Sequence, residues 1–280
     1  MIMATKLQKI VKILSEKYEI NEWWERYTPF EALVGIILSQ RTYWRNVKTA
    51  IERFAERFNG IVDVAKSDVK EIEKVIKPAG LYRVRARRIK NIAEDLVEKY
   101  DGKLDKILNL PYDEAKKQLI TIKGIGPKTA DVFLMAVNGE QVLPIDVHIF
   151  RIMKRLGIAC ERDDYESLRA KLESEIPPKQ RMKTHLILIE FGRRICRARN
   201  LKLLLSAIRY IQFAREPIKL TITASKLLLR NLFRSSLVLT HKGKFGFTPQ
   251  ISLHLFSSNL HKQMGDIFRS KPKKIEKNLY

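Results

Sequence analysis

Cysteine is scarce in this chain: Cys160 and Cys196 are its only two among 280 residues, too few for the disulfide framework of a small secreted domain. No apolar run approaches the ~18 residues that a membrane-crossing helix requires, and the first twenty residues lack a secretory pattern. The expectation is a soluble chain that stays inside the cell. Strand-like alternation is missing from the first 200 residues, which argues for an all-α protein. Acidic residues are in deficit too, 31 Asp and Glu against 54 Lys and Arg, for a formal charge of +23. That imbalance does not report on fold; it implies a polyanionic partner, either nucleic acid or an anionic membrane surface. The deficit sharpens at the end, where residues 201–280 hold 3 acidic against 15 basic side chains.

What is present is apolar periodicity in plenty. Hydrophobic residues make up 45% of the chain, enough to bury a sizeable core in one large domain or two small ones. Leu7, Ile10, Val11 and Leu14 follow helical spacing. Thr28-Pro29 reads as the cap and first turn of a helix over Phe30–Ser39. Ser39-Gln40-Arg41-Thr42 ends that helix and begins another, with Val47, Ala50, Ile51, Phe54 and Phe58 on one face. Further helices are expected near 68–76, 81–99, 147–156, 164–175 and 179–197, with turns at Asn59-Gly60, Pro78-Ala79-Gly80, Asp101-Gly102 and Asn138-Gly139. Trp23 and Trp24 read as packing residues.

Two stretches carry chemistry. Lys123-Gly124-Ile125-Gly126-Pro127 sits between two apolar helical runs, so it joins two helices through a tight turn. The second helix then begins with unpaired N–H groups and a partial positive charge, a place for an anion such as a nucleic-acid phosphate. A Walker phosphate loop is excluded, because that motif follows a strand and places glycine directly before its lysine, where this chain has Pro127. The second stretch is Pro144-Ile145-Asp146-Val147-His148, in which Asp146 is a natural cap for the helix that follows. His148 has no metal-ligand spacing to other residues and reads as a packing or hydrogen-bonding side chain. Arg83, Arg85, Arg87, Arg88 and Lys90 crowd a helix start, where cations oppose the dipole and a nearby phosphate would relieve them.

GIGPKTAD, followed eighteen positions after its lysine by the aspartate of PIDVHIFRI, resembles the endonuclease III branch of the helix-hairpin-helix DNA glycosylase superfamily. ILSQRT at 37–42 and GLYRVRARRI at 80–89 extend that resemblance, which covers about residues 5–200. It implies an all-α, two-domain fold. A central bundle over 29–139 carries the hairpin, a second helical domain is built from 1–28 and 140–200, and the active-site cleft lies between them. It implies a bifunctional DNA glycosylase and abasic-site lyase acting as a monomer on oxidised pyrimidines in double-stranded DNA, cytoplasmic and nucleoid-associated if prokaryotic. Lys128 becomes the nucleophile and Asp146 its carboxylate partner. Gln40, Thr42, Lys123, Gly124, Gly126 and Thr129 become DNA contacts, Gln40 filling the gap left by an extruded nucleotide. The alternatives are a monofunctional mismatch glycosylase of the same superfamily, which usually lacks a lysine at this place, and a non-catalytic DNA-binding hairpin protein.

The resemblance breaks after residue 196. The family's four-iron, four-sulfur cluster hangs on C-x6-C-x2-C-x5-C. That spacing starts at Cys196 and then falls on Leu203, Ser206 and Gln212, none of which replaces a thiolate. No cofactor and no metal site is therefore expected, with Cys196 the only retained candidate ligand. The tail over 201–280 is either an appended basic segment on a cluster-free relative or the product of a reading-frame change.

Overall fold

The computed structural model describes residues 5–198 except Glu19 and Asn21. The atypical tail over 201–280 lies outside the described residues. Twelve α-helices and no strand occur among the described residues, as the absence of alternation predicts. They are α1 (Lys6–Ser15), α2 (Pro29–Ser39), α3 (Trp44–Arg57), α4 (Ile61–Lys66), α5 (Val69–Ile76), α6 (Tyr82–Tyr100), α7 (Asp105–Leu108), α8 (Tyr112–Thr121), α9 (Pro127–Val137), α10 (Val147–Arg155), α11 (Tyr165–Glu175) and α12 (Arg181–Arg194).

Local signals set the helix starts. Thr28 accepts the Glu31 N–H while the Glu31 carboxylate accepts from Thr28, and Pro29 occupies the first turn. Such a reciprocal cap contributes about 1 kcal/mol. Thr5 and Gln8 repeat the arrangement at α1. Helix α2 has no polar face to spare, since Phe30 and every residue from Ala32 to Leu38 are buried, and it packs on α3 and α9. Gly35 permits this: a Cβ there would meet two ring carbons of Trp23 at 2.4 and 2.6 Å.

One apolar cluster runs from Trp23 to Leu134, with α4 and α5 packed on α6 inside it. Helix α10 packs on α12, and α1 on α12 and α11. Met182 and Leu186 of α12 reach back to the first cluster. No helix among the described residues is long and apolar enough to cross a membrane.

Candidate active site

The hairpin places its lysine at the first turn of α9. Gly124 adopts φ 110°, a conformation that disfavours any side chain, and a Cβ there would touch Arg88 at 3.0 Å. Gly126 needs no such freedom: its φ is −97° and a Cβ would meet nothing within 4 Å. It caps α9 with no side-chain bond, so the first N–H groups of α9 lack a side-chain acceptor. Lys128 follows Pro127 and points into a cavity of about 710 Å³.

Asp146 lines the same cavity. Both the His148 and Ile149 N–H groups donate to its Oδ1, at 2.9 and 2.8 Å, leaving Oδ2 outside the cap. The aspartate is thus held by the helix it starts, as its position before an apolar run implies. The Lys128 amine makes no hydrogen bond or ion pair with the described residues. Burial pushes its pKa below the ordinary lysine value; the Asp146 carboxylate opposes that, and Arg193 and Arg88 reinforce it. Desolvation therefore wins over the carboxylate, and the neutral amine gains population.

His185, which sequence reasoning passed over, lies in the wall of this cavity at 2% exposure. Its Nδ1 sits 2.8 Å from the Pro144 carbonyl. A carbonyl only accepts, so Nδ1 carries the proton and Nε2 is left as an acceptor. Burial is the main cause that lowers its pKa to about 4, and Lys128 and Arg193 push the same way against Asp146 and the Pro144 bond. The imidazole therefore adds no positive charge beside the amine at neutral pH. A lone histidine in the apolar run of α12 carries no sequence signal that separates it from core. His148 also lines the cavity, and its Nδ1 accepts from Arg151 at 2.9 Å. Gly192 of α12 presses on it, with a Cβ there 2.7 Å from the His148 Cβ.

The other expected site residues divide. Gln40 ends α2 and lines the cavity, and its Oε1 accepts from Arg88 at 3.1 Å. Thr42 also lines the cavity, its hydroxyl donating to the Ala79 carbonyl at 2.8 Å and accepting from Arg85 at 2.9 Å. Thr129 is buried in the cavity wall and accepts from Arg88 at 3.4 Å. Lys123 and Gly124 sit apart, beside a shallow concavity of about 250 Å³ that also contains Arg87 and Asn91.

The run of cations at the start of α6 is not one phosphate-facing cluster. Arg85 is buried and donates to the Gln40, Ala79 and Gly80 carbonyls as well as to Thr42. Arg88 is spent on Gly124, Gln40 and Thr129, and Lys90 on the Ala65 carbonyl and Glu94. Only Arg83 and Arg87 of the five are exposed. Burial of Arg85 cannot be read from charge alone, because its acceptors are carbonyls brought in by two turns. Large apolar side chains stand at the cavity rim instead: Leu81 at 64%, Val84 at 70% and Val147 at 69% exposure. Leu81 takes a left-handed backbone, φ 47°. Trp23 and Trp24 pack in the core as expected and also form part of the cavity wall.

A four-iron, four-sulfur cluster held by four thiolates does not fit the residues present. The chain has two cysteines. The buried Cys196 Sγ accepts from Arg155 at 3.2 Å, and Cys160 is exposed. Arg155 also bonds the Arg197 and Ala198 carbonyls, and Arg151 the Cys196 carbonyl, so arginines tie this end of α12 to α10. Among the described residues no group of three or more His, Cys, Asp or Glu side chains is placed to hold a metal ion.

Residues 34–178 match the profile of the HhH-GPD superfamily of base excision DNA repair proteins. The chain is 33% identical over 172 residues to endonuclease III of Thermotoga maritima, covering 61% of this chain and 76% of that protein. It is 38% identical over 185 residues to an endonuclease III homologue of Encephalitozoon cuniculi, covering 61% and 73%. Among solved structures it is similar to a trapped covalent intermediate of endonuclease III with DNA, with TM-score 0.58 and 28% identity over 71% of this chain and 91% of that one. A profile that spans half the sequence, centred on the hairpin and the cavity it feeds, shows that the chain belongs to the HhH-GPD superfamily of base excision DNA repair proteins, as an endonuclease III-like helix-hairpin-helix DNA glycosylase.

Proposed function

We propose that this protein is a bifunctional glycosylase and abasic-site lyase that acts as a monomer on oxidised pyrimidines in duplex DNA. The observation that carries the reading is the placement of Lys128 and Asp146 in one cavity, the amine unbonded and shifted toward its neutral form. C1′ of a stacked nucleotide is shielded, so the damaged nucleotide is first extruded from the duplex. The exposed Leu81 and the Gln40 amide at the rim are suited to fill the space it leaves, as apolar and amide side chains do when they enter a duplex. Exposed Lys123 and Arg87 and the positive N-terminal end of α9 supply phosphate contacts.

The chemistry follows from the two side chains. The lone pair of the Lys128 Nζ forms a bond to C1′ as the C1′–N glycosidic bond breaks and its electrons leave with the base. Asp146 stabilises the positive charge that develops on the sugar and accepts a proton from the new secondary ammonium. Ring opening gives a protonated Schiff base, loss of a C2′ proton gives an enamine, and its electrons expel the 3′ phosphate. Hydrolysis then frees Lys128. No step passes through a cluster.

Incubation with abasic-site and thymine-glycol duplexes under borohydride tests this. The expected result is a covalent protein–DNA adduct and a cut strand, both lost in Lys128→Gln. Trapping undiminished in that variant would remove Lys128 from the nucleophile role. Base release without strand cleavage would make the enzyme monofunctional, and salt-sensitive binding with neither would leave a non-catalytic hairpin protein.

A further inference from the structure

Asp131 is fully buried on α9, one turn beyond Lys128, and takes no part in the cavity. Tyr112 donates to its Oδ1 at 2.7 Å, and Tyr165 and Lys116 donate to its Oδ2 at 2.5 and 3.0 Å. Lys116 also bonds Glu166 at 2.7 Å. Arg169 pairs with Glu166 at 2.9 Å and with Glu173 at 3.2 Å. The Glu173 Oε1 accepts the backbone N–H of Leu143 at 2.7 Å, and Arg181 lies 3.7 Å from its Oε2. Three carboxylates thus meet three cations in a seam that runs from α9 through α8 and α11 to the segment delivering Asp146. The seam connects the carrier of the amine to the carrier of the carboxylate.

Stability alone is a poor account of such an arrangement. Burying charge costs desolvation that pairing only partly offsets, and apolar side chains of equal volume often hold a protein as firmly or better. Directional bonds supply something apolar contacts do not, a defined separation and rotation between helices. Burial raises the phenol pKa values of Tyr112 and Tyr165, and the Asp131 carboxylate raises them further, so both hydroxyls stay donors throughout the working pH range.

We propose that Asp131 is a positioning residue for the proposed reaction: it fixes α9 against α11 and, through Glu173 and Leu143, against the strap that ends at Asp146. The separation of the Lys128 amine from the carboxylate is set by this seam. The inference rests on the assignment of Lys128 and Asp146 as the reacting pair.

The test is single-turnover borohydride trapping on an abasic-site duplex at saturating protein, with affinity measured separately and folding checked by thermal melting. Asp131→Asn keeps the side-chain shape and an acceptor for Tyr112 but removes the charge facing Lys116. Its trapping rate constant is expected to fall about 10- to 100-fold with duplex affinity unchanged, since a displacement of about 1 Å costs on that order. Tyr165→Phe, which deletes one hydroxyl, is expected to give a smaller loss in the same direction and serves as the deciding variant if Asp131→Asn does not fold. A purely structural role would lower the melting temperature and the trapped amplitude while leaving the rate constant of the folded fraction unchanged, and that result overturns the proposal. Retained trapping in Lys128→Gln would instead overturn the assignment of the pair, so the two failures are distinguishable.

Discussion

Acidification is the perturbation whose size the structure gives most directly, because His185 is held neutral by burial. Its pKa is lowered to about 4 from an ordinary 6.5, so below pH 6.5 the unfolded chain takes up a proton that the folded chain refuses. The sign follows: the stabilisation is fully present above pH 6.5 and is lost as pH falls through the folded value. At about 1.4 kcal/mol per pH unit, roughly 2 kcal/mol is gone by pH 5 and about 3 kcal/mol by pH 4. Other groups titrate in the same range, so the measurement is a difference. Denaturant unfolding of wild type and His185→Asn is followed from pH 7.5 to pH 4, the asparagine retaining an N–H donor for the Pro144 carbonyl. The variant loses some packing at every pH, and its deficit is expected to shrink by about 3 kcal/mol across that range. Parallel curves for the two proteins would refute a neutral, buried imidazole.

Four further expectations concern the site and its surroundings. Asp146→Asn retains an oxygen for the two cap N–H groups, so melting shifts little, whereas the trapping rate falls about 100-fold or more if the carboxylate moves a proton. Arg85→Met leaves buried acceptors without a donor and is expected to cost on the order of 3 kcal/mol in denaturant unfolding. Arg87→Ala, on the exposed side of the same helix, leaves stability unchanged and lowers the salt dependence of duplex binding by about one counterion. Leu81→Ala, in an exposed position, changes stability by less than about 0.5 kcal/mol and is expected to weaken binding of abasic-site duplex more than undamaged duplex in a fluorescence titration.

The longer helices were legible in the residues because apolar spacing and caps agree, whereas α4 and α7, of six and four residues, are too short to show a period. Thr28-Pro29 and Asp146 announce their helices by side-chain chemistry that acts over two or three residues. The hairpin was legible for the same reason, although only Gly124 uses the backbone freedom that both its glycines suggest. What stayed hidden depends on contacts distant in sequence. Arg85 and Arg88 look like neighbouring members of one basic face until the Gln40 and Gly80 turns supply carbonyls to Arg85 and the hairpin supplies the Gly124 carbonyl to Arg88. His185 and Asp131 look like stray polar residues on apolar helices until Pro144 from one side and Tyr165 from another complete their bonds. Local chemistry writes itself into spacing, whereas a buried polar group is defined by partners that only the packed chain assembles.

Gly35 lies one layer behind the cavity, where the six-membered ring of Trp23 rests against its Cα. Even a methyl group at that position would have to displace the indole that forms part of the cavity wall. The room available for substrate is therefore governed partly from outside the wall that substrate touches. Selection for a different lesion could act on residue 35 and leave Lys128 and Asp146 untouched.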